Sequence, residues 1–109
     1  MQKLRNFAQS VGIASLNDNL LRLALTHSSY VNDHPHEQDN ERLEFLGDAV
    51  LSILSSELLY GKFGSFREGQ LSRIRANLVC EDTLARVAHN IGLPKVIRLG
   101  KSAAGSGGF

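Results

Sequence analysis

The chain has 109 residues, of which 42% are hydrophobic and 21% are charged, and its formal net charge is +1. This composition is ordinary for one globular domain, and the charge excludes the overall basic excess that marks many nucleic-acid-binding proteins. Cys80 is the only cysteine, which excludes an intrachain disulfide and a zinc site built from several cysteines. No segment approaches the ~20 apolar residues of a membrane span, so we predict a soluble, cytoplasmic protein.

Apolar residues recur at helical spacing in four segments, which predict helices at residues 3–11, 18–27, about 40–60 and 81–93. Asp18 is suited to cap the second of these helices, and Gly92 is suited to end the last. Ser65 and Glu68 have the S-x-x-E spacing of a capping box. That pair predicts a further helix, starting near Phe66.

The remaining segments are polar or rich in small residues. Residues 28–40 contain Pro35 and no apolar period, which predicts a loop or very short turns, and residues 95–100 predict an extended piece or a short turn. The small residues at 101–109 predict another loop. Because strand alternation is almost absent, the predicted fold class is all-α. The long apolar segment from Asn40 is expected to be its central, buried helix.

Three carboxylates interrupt this apolar segment, in the sequence ERLEFLGDAVL. At about 100° per residue, Glu41, Glu44 and Asp48 fall within roughly 60° of one another on the helix surface. Like charges at this spacing are mutually destabilising, so a nearby positive charge is expected. One interpretation is a divalent-cation site, since Mg²⁺ and Mn²⁺ prefer oxygen ligands. The alternative is that Glu41 favours the helix dipole, Glu44 pairs with a basic residue and Asp48 faces solvent.

The string NERLEFLGDAVL at residues 40–51 resembles the signature of the ribonuclease III family. Four further blocks resemble successive parts of the same catalytic domain in the same order: LTHSSY at 25–30, EGQLSRIRANLV at 68–79, LARVAHNIGL at 84–93 and IRLGKSAAGSGG at 97–108. The resemblance covers nearly the whole chain. It implies a helical ribonuclease III-type endonuclease domain that uses Mg²⁺, or Mn²⁺, to hydrolyse double-stranded RNA, including precursors of rRNA and mRNA.

The resemblance also implies roles for individual acidic residues. Glu44 and Asp48 match the two metal-site carboxylates of the signature helix, and both are expected to be catalytic, Asp48 foremost. Glu41 and Glu68 match two further acidic residues that line the family's cleft. Each of these two has an alternative role at a helix start, which for Glu68 is the capping box with Ser65.

An aromatic side chain lies beside the carboxylates on the predicted helix. Phe45 would be costly to expose to water, which favours a partner surface over it. By resemblance it matches the aromatic residue that inserts into a pocket on the symmetry mate, which implies a homodimer. The alternative is that Phe45 packs into the core of its own subunit.

Four basic residues are candidate contacts to RNA phosphates: Arg73, Arg75, Arg98 and Lys101. For a lone arginine or lysine, however, a solvated charge or an ion pair is the more common role. His27, in the block LTHSSY, is predicted to make a structural hydrogen bond rather than to act in catalysis.

By resemblance, the family's catalytic domain continues into another helix, with the pattern D-x-x-E-A, that supplies two more metal-site carboxylates. No acidic residue follows Asp82. We therefore expect residues 1–109 to be the N-terminal and central part of one ribonuclease III domain, with no double-stranded-RNA-binding domain and very low activity alone. The alternative function is noncatalytic, namely dimerisation or the binding of structured RNA by the same fold.

Overall fold

A computed structural model describes residues 1–105, and helices account for most of that range. The helices are α1 (Gln2–Ser10), α2 (Asp18–Ala24), α3 (Ser28–Asp33), α4 (Glu41–Lys62), α5 (Glu68–Leu78), α6 (Glu81–Asn90) and α7 (Lys101–Gly105), with a 3-10 turn at Leu93–Lys95. The predicted all-α class is confirmed. Within the described range, none of these helices combines the length and the hydropathy needed to span a membrane.

The best-packed part of the chain lies where α1 and α2 meet the segment that follows α6. Its buried apolar side chains are Leu4, Ala8, Leu21, Leu25 and Val96. Leu21 is only 1% exposed, and burial of such a side chain contributes about 1.5–3 kcal/mol. Thr26 and Arg98 form an isolated parallel bridge, in which the Arg98 N–H donates to the Leu25 carbonyl at 2.7 Å. This bridge ties the start of α3 to the C-terminal part of the chain.

Residues 28–33 form helix α3, where the sequence predicted a loop or very short turns. His27 caps this helix, because its Nδ1 accepts a hydrogen bond from the Ser29 N–H at 3.1 Å. Histidine is not among the usual capping residues, so the residue type did not indicate a helix start.

Helix α7 also replaces a predicted loop, over Lys101–Gly105. The Asp33 carboxylate at the end of α3 accepts a hydrogen bond from the Lys101 N–H at 2.8 Å. A contact between residues so far apart in the chain is invisible to local sequence patterns. The rest of that predicted loop, residues 106–109, lies outside the described range.

Two predicted helix starts differ from the observed ones. Asn17, rather than Asp18, caps α2, and its side-chain oxygen accepts from the Leu20 N–H at 2.8 Å. Helix α5 begins at Glu68 rather than near Phe66. In each case a neighbouring residue has the backbone geometry that the cap requires.

The capping box predicted at the start of α5 is also replaced by another contact. Gln70 Oε1 accepts a hydrogen bond from the Arg67 N–H at 3.0 Å, so the Ser65 and Glu68 pair does not form the box. The side chain of Glu68 is therefore not committed to a capping box.

Helix α4 is continuous over 22 residues, or about 33 Å, but the prediction that it is buried is wrong for the described chain. Its buried residues there are Ser55 and Leu59, and α5 packs along it more than any other element does. The radius of gyration is 16.2 Å, against about 13 Å for a compact chain of this size. The described residues pack against one side of α4, and its other side has no neighbour among them.

The exposed side of α4 is its apolar side. An apolar stripe with between 47% and 67% exposure consists of Leu46, Val50, Ile53, Leu54 and Leu58. At helical spacing, the buried Ser55 and Leu59 share a side with the carboxylates Glu41, Glu44 and Asp48. The polar side of this helix therefore faces the rest of the chain, which reverses the usual arrangement of a surface helix.

Candidate active site

An open groove with a volume of about 910 Å³ lies beside the first turns of α4. We call it the acidic groove. It is lined by Glu41, Glu44 and Asp48 of α4, by His27 and Ser28 at the start of α3, and by Leu84 of α6. The structure thus brings three of the four predicted acidic residues to one surface.

The start of α4 is anchored to the well-packed part of the chain. The Asn40 side-chain amide donates to the Ala24 carbonyl at 2.8 Å, and the Asn40 N–H donates to the Thr26 carbonyl at 2.9 Å. Next to it, the Asp39 carboxylate accepts from the Glu41 N–H at 3.0 Å. These contacts fix the carboxylates of the first turns relative to the start of α3.

Glu44 and Asp48 lie one helical turn apart, and both are exposed. In the part of the chain that the structure describes, the ion pairs are Arg5 with Asp18 and Arg98 with Glu37. The predicted alternative in which Glu44 pairs with a basic residue is therefore not observed. The groove carries negative charge that no described side chain neutralises.

The acidic groove does not by itself form a multidentate metal cage. Across residues 1–105, no group of three or more His, Cys, Asp or Glu side chains is arranged to hold a metal ion. Mg²⁺, however, is usually bound through one or two carboxylates, with waters and substrate phosphates completing its octahedral shell. Glu44 and Asp48 could supply those one or two carboxylates, and Glu41 lies one turn from Glu44.

His27 makes the structural hydrogen bond that the sequence predicted, through Nδ1 to the backbone of Ser29. It also lines the acidic groove together with Ser28 and Asn40. The sequence did not indicate that second position, because it depends on contacts between separate segments, such as the bond from the Asn40 N–H to the Thr26 carbonyl.

Phe45 is 84% exposed, which excludes the alternative that it packs into the core of its own subunit. It lies on the ridge between the acidic groove and a second open groove of about 1010 Å³. The lining of that second groove is mixed, with apolar residues such as Leu23 and Leu46 beside charged ones such as Glu37 and Arg42. The partner contact of Phe45 stays a prediction.

Glu68 lies apart from the other acidic residues in the single chain. It lines a separate pocket of about 220 Å³, together with Tyr60 and Arg75. In one copy of the described chain, Glu68 does not share a cleft with the other acidic residues. Its position in a shared cleft therefore stays a prediction.

Arg98 is the centre of a network in the well-packed part of the chain. Its Nη2 lies 2.9 Å from a Glu37 carboxylate oxygen, and its guanidinium lies 4.2 Å from the centre of the Tyr30 ring. A third contact joins Nη1 to Thr26 Oγ1 at 3.2 Å. The hydrogen bond from Arg98 lowers the pKa of Glu37 below its ordinary value of 4.5. This environment favours a structural role for Arg98 over a contact to phosphate.

The other three candidate phosphate contacts differ in the exposure and the hydrogen bonds of their side chains. Arg75 Nη1 donates to Ser56 Oγ at 2.8 Å and so joins α5 to α4. Arg73 and Lys101 are exposed, and their side chains suit a contact to RNA better than those of Arg75 and Arg98.

Comparisons with known proteins agree with the fold. The family model described as ribonuclease-III-like matches residues 17–109. Ribonuclease 3 of Bacillus cytotoxicus is 47% identical over 110 residues, which cover 98% of this chain and 44% of that protein. Ribonuclease 3 of Bacillus licheniformis is 44% identical over the same shares of the two chains.

Among solved structures, the nuclease domain of ribonuclease III from Campylobacter jejuni matches with a TM-score of 0.87 and 39% identity. The match covers 96% of this chain and 71% of that one. The fold is therefore that of a helical nuclease domain. The chain belongs to the ribonuclease-III-like family, and it spans less than half the length of the curated relatives it matches.

Proposed function

We propose that the protein to which this chain belongs is a metal-dependent endoribonuclease that hydrolyses phosphodiesters of double-stranded RNA, including precursors of rRNA and mRNA. The observation that carries the proposal is the exposed, unneutralised pair Glu44 and Asp48 in an open groove of a ribonuclease-III-like fold. Residues 1–109 would form the N-terminal and central part of the catalytic domain. This division agrees with the 71% coverage of the nuclease domain from Campylobacter jejuni.

The chemistry of the groove suits Mg²⁺, with Mn²⁺ as a substitute. Glu44 and Asp48 would hold the ion, and Glu41 would add negative charge beside them. When bound, such an ion supplies an activated water and offsets the charge that develops on the phosphate. The protein's own share is to hold the two carboxylates one turn apart on a rigid helix, anchored at Asn40.

The exposed ring of Phe45 supports a homodimer as part of the same proposal. A large aromatic side chain that is 84% exposed is suited to a partner surface. In a dimer with two-fold symmetry the same surface patch is used on both subunits, so two acidic grooves would be available for the two strands of a duplex. Ribonuclease III from Campylobacter jejuni has a region involved in dimer formation.

A cytoplasmic location completes the proposal. Cys80 is an exposed free thiol, and reduced cysteines are typical of the cytosol.

Cleavage of a long duplex RNA with Mg²⁺ tests the proposal. The substrate is given to the 109-residue chain and to an extended protein, in which the C-terminal part of Bacillus cytotoxicus ribonuclease 3 follows Phe109. We expect cleavage by the extended protein and very little by the chain alone. Asp48→Asn and Glu44→Gln should each lower the cleavage rate of the extended protein at least about a hundredfold.

Glu57→Gln is the matched control, because Glu57 is an exposed carboxylate of the same helix outside the acidic groove. It should cleave at the wild-type rate. If the extended protein binds the duplex but never cuts it, the noncatalytic role in RNA binding replaces the enzymatic one. Equal cleavage by wild type and Asp48→Asn would contradict the assignment of the groove.

A further inference from the structure

The acidic groove raises a problem of charge for any phosphodiester that enters it. Three carboxylates line it, and no lysine or arginine does so among the described residues. A bound cation offsets part of the repulsion, yet phosphate oxygens also need hydrogen-bond donors. Besides His27, the side-chain donors in the lining are the Asn40 amide, one N–H of which is bonded to the Ala24 carbonyl, and the Ser28 hydroxyl.

His27 is held rigidly at the edge of this groove. Its backbone N–H donates to the Arg98 carbonyl at 3.0 Å, and the preceding residue, Thr26, is fully buried. The ring is held as well, because Nδ1 lies 3.1 Å from the Ser29 backbone nitrogen and 2.8 Å from the Ser29 hydroxyl oxygen. The imidazole therefore has a fixed position beside the carboxylates of α4.

The contacts of the ring define its tautomer. A backbone N–H can only donate, so Nδ1 must accept and cannot carry a proton. The Ser29 hydroxyl oxygen already accepts from the Gly100 N–H at 2.9 Å, which leaves the hydroxyl hydrogen free to be donated to Nδ1. The single proton of a neutral imidazole then lies on Nε2, and within residues 1–105 no hydrogen bond joins Nε2 to a carboxylate.

We propose that His27 contacts the substrate in the acidic groove, where its Nε2–H donates a hydrogen bond to a phosphodiester oxygen of bound RNA. The proposal rests on the proposed function. A neutral donor suits this place better than a lysine or an arginine, because a cationic side chain would pair with Glu44 or Asp48 and compete with the metal ion. His27 thus combines two roles, in which Nδ1 caps α3 and Nε2 binds the substrate.

Two substitutions separate these roles. In His27→Asn the amide oxygen occupies the place of Nδ1, and asparagine is a favoured capping residue, so the cap survives while the Nε2 donor is lost. In His27→Gln the longer side chain places an amide donor near the position of Nε2, while the cap is lost. His36→Asn is the control, because His36 is an exposed histidine that does not line the acidic groove.

The binding measurement uses the extended protein and a duplex RNA in Ca²⁺, a hard cation that also prefers oxygen ligands. His27→Asn should keep the wild-type unfolding midpoint and weaken RNA binding about tenfold, as expected for one lost hydrogen bond to a charged group. His27→Gln should unfold more readily and bind within about threefold of wild type. A purely structural role predicts the reverse order of the two variants in RNA affinity.

Nitrogen-15 NMR of the histidine rings tests the same proposal without a mutation. In the wild-type protein, His27 should show a protonated Nε2 and an unprotonated Nδ1, and addition of the duplex should shift the Nε2 resonance. A proton on Nδ1, or wild-type RNA affinity in His27→Asn, would overturn the proposal for His27 alone. Failure of the wild-type extended protein to bind or cut the duplex would overturn it together with the proposed function.

Discussion

The region around the Thr26–Arg98 bridge and helix α4 are packed in opposite ways. Around the bridge, apolar side chains of α1 and α2 face inward, and Leu21 and Leu25 are 1% and 6% exposed. On α4 the side that faces the rest of the chain carries carboxylates and Ser55, while Leu54 is 57% exposed. The first region is stabilised by its own core, whereas α4 is held at its start by Asn40 and along one side by α5.

This difference separates the residues that maintain the fold from those that are free to act. Arg98 and Thr26 are committed to contacts inside the packed region. Among residues 1–105, the side chains of Glu44, Asp48 and Phe45 make no such contacts, and all three are exposed to solvent. Helix α4 is polar on one side and apolar on the other. The polar side is suited to bind an ion and its substrate, and the apolar side is suited to bind a protein surface.

The largest expected effect contrasts one leucine from each region. Leu21→Ala leaves a cavity in a closed core and should lower the free energy of unfolding by about 2–5 kcal/mol. Leu54→Ala removes an exposed side chain and should change it by no more than about 0.5 kcal/mol. Urea unfolding followed by circular dichroism measures both variants. Equal losses would mean that the apolar stripe of α4 is covered in solution.

Two glycines provide the next contrast. A Cβ at Gly100 would clash with the Ser29 carbonyl oxygen, so Gly100→Ala should lower the unfolding free energy by about 1–3 kcal/mol. A Cβ at Gly61, within α4, meets nothing within 4 Å. Gly61→Ala should therefore raise the unfolding free energy by about 0.5–1 kcal/mol, because alanine favours the helix. Thermal melts of the two variants should move in opposite directions, and parallel shifts would contradict the structure near α7.

The smallest effect concerns the ion pair of the packed region and depends on pH. Because the hydrogen bond from Arg98 lowers the pKa of Glu37 in the folded chain, the ionised carboxylate stabilises the fold at neutral pH. That stabilisation is present above the unfolded-state pKa near 4.5 and is lost as the pH falls through the lower folded-state value. Wild type should therefore be more stable than Glu37→Gln at neutral pH, by a margin that shrinks on acidification. A margin that is independent of pH would exclude the ion pair as its cause.

The sequence correctly predicted the features of the site that depend on residue spacing within one helix. The helical period placed Glu41, Glu44 and Asp48 on one side of α4, and the structure puts all three in one groove. It did not reveal which side of α4 faces the chain, because the helix is apolar on most sides and the choice depends on its neighbours. The burial predicted for α4 is not found among the described residues, because one side of the helix has no neighbour there.

What the sequence did not reveal depends on contacts between distant residues. Arg98 and Glu37 are 61 positions apart, and the Asp33 contact that starts α7 spans 68 positions. Neither leaves a local pattern in the sequence. The position of His27 has a similar origin, since its backbone N–H is bonded to the Arg98 carbonyl, far along the chain.

The central claim is that the inward side of α4 forms an ion-binding groove, and Mn²⁺ titration of the nitrogen-15-labelled chain tests it most directly. A bound paramagnetic ion broadens the amide resonances closest to it. We expect selective broadening around Glu44 and Asp48, extending to Ser28, with Glu57 and Glu68 unaffected and with the broadening lost in Asp48→Asn. Broadening centred on Glu57 or Glu68, or unchanged in Asp48→Asn, would contradict the claim.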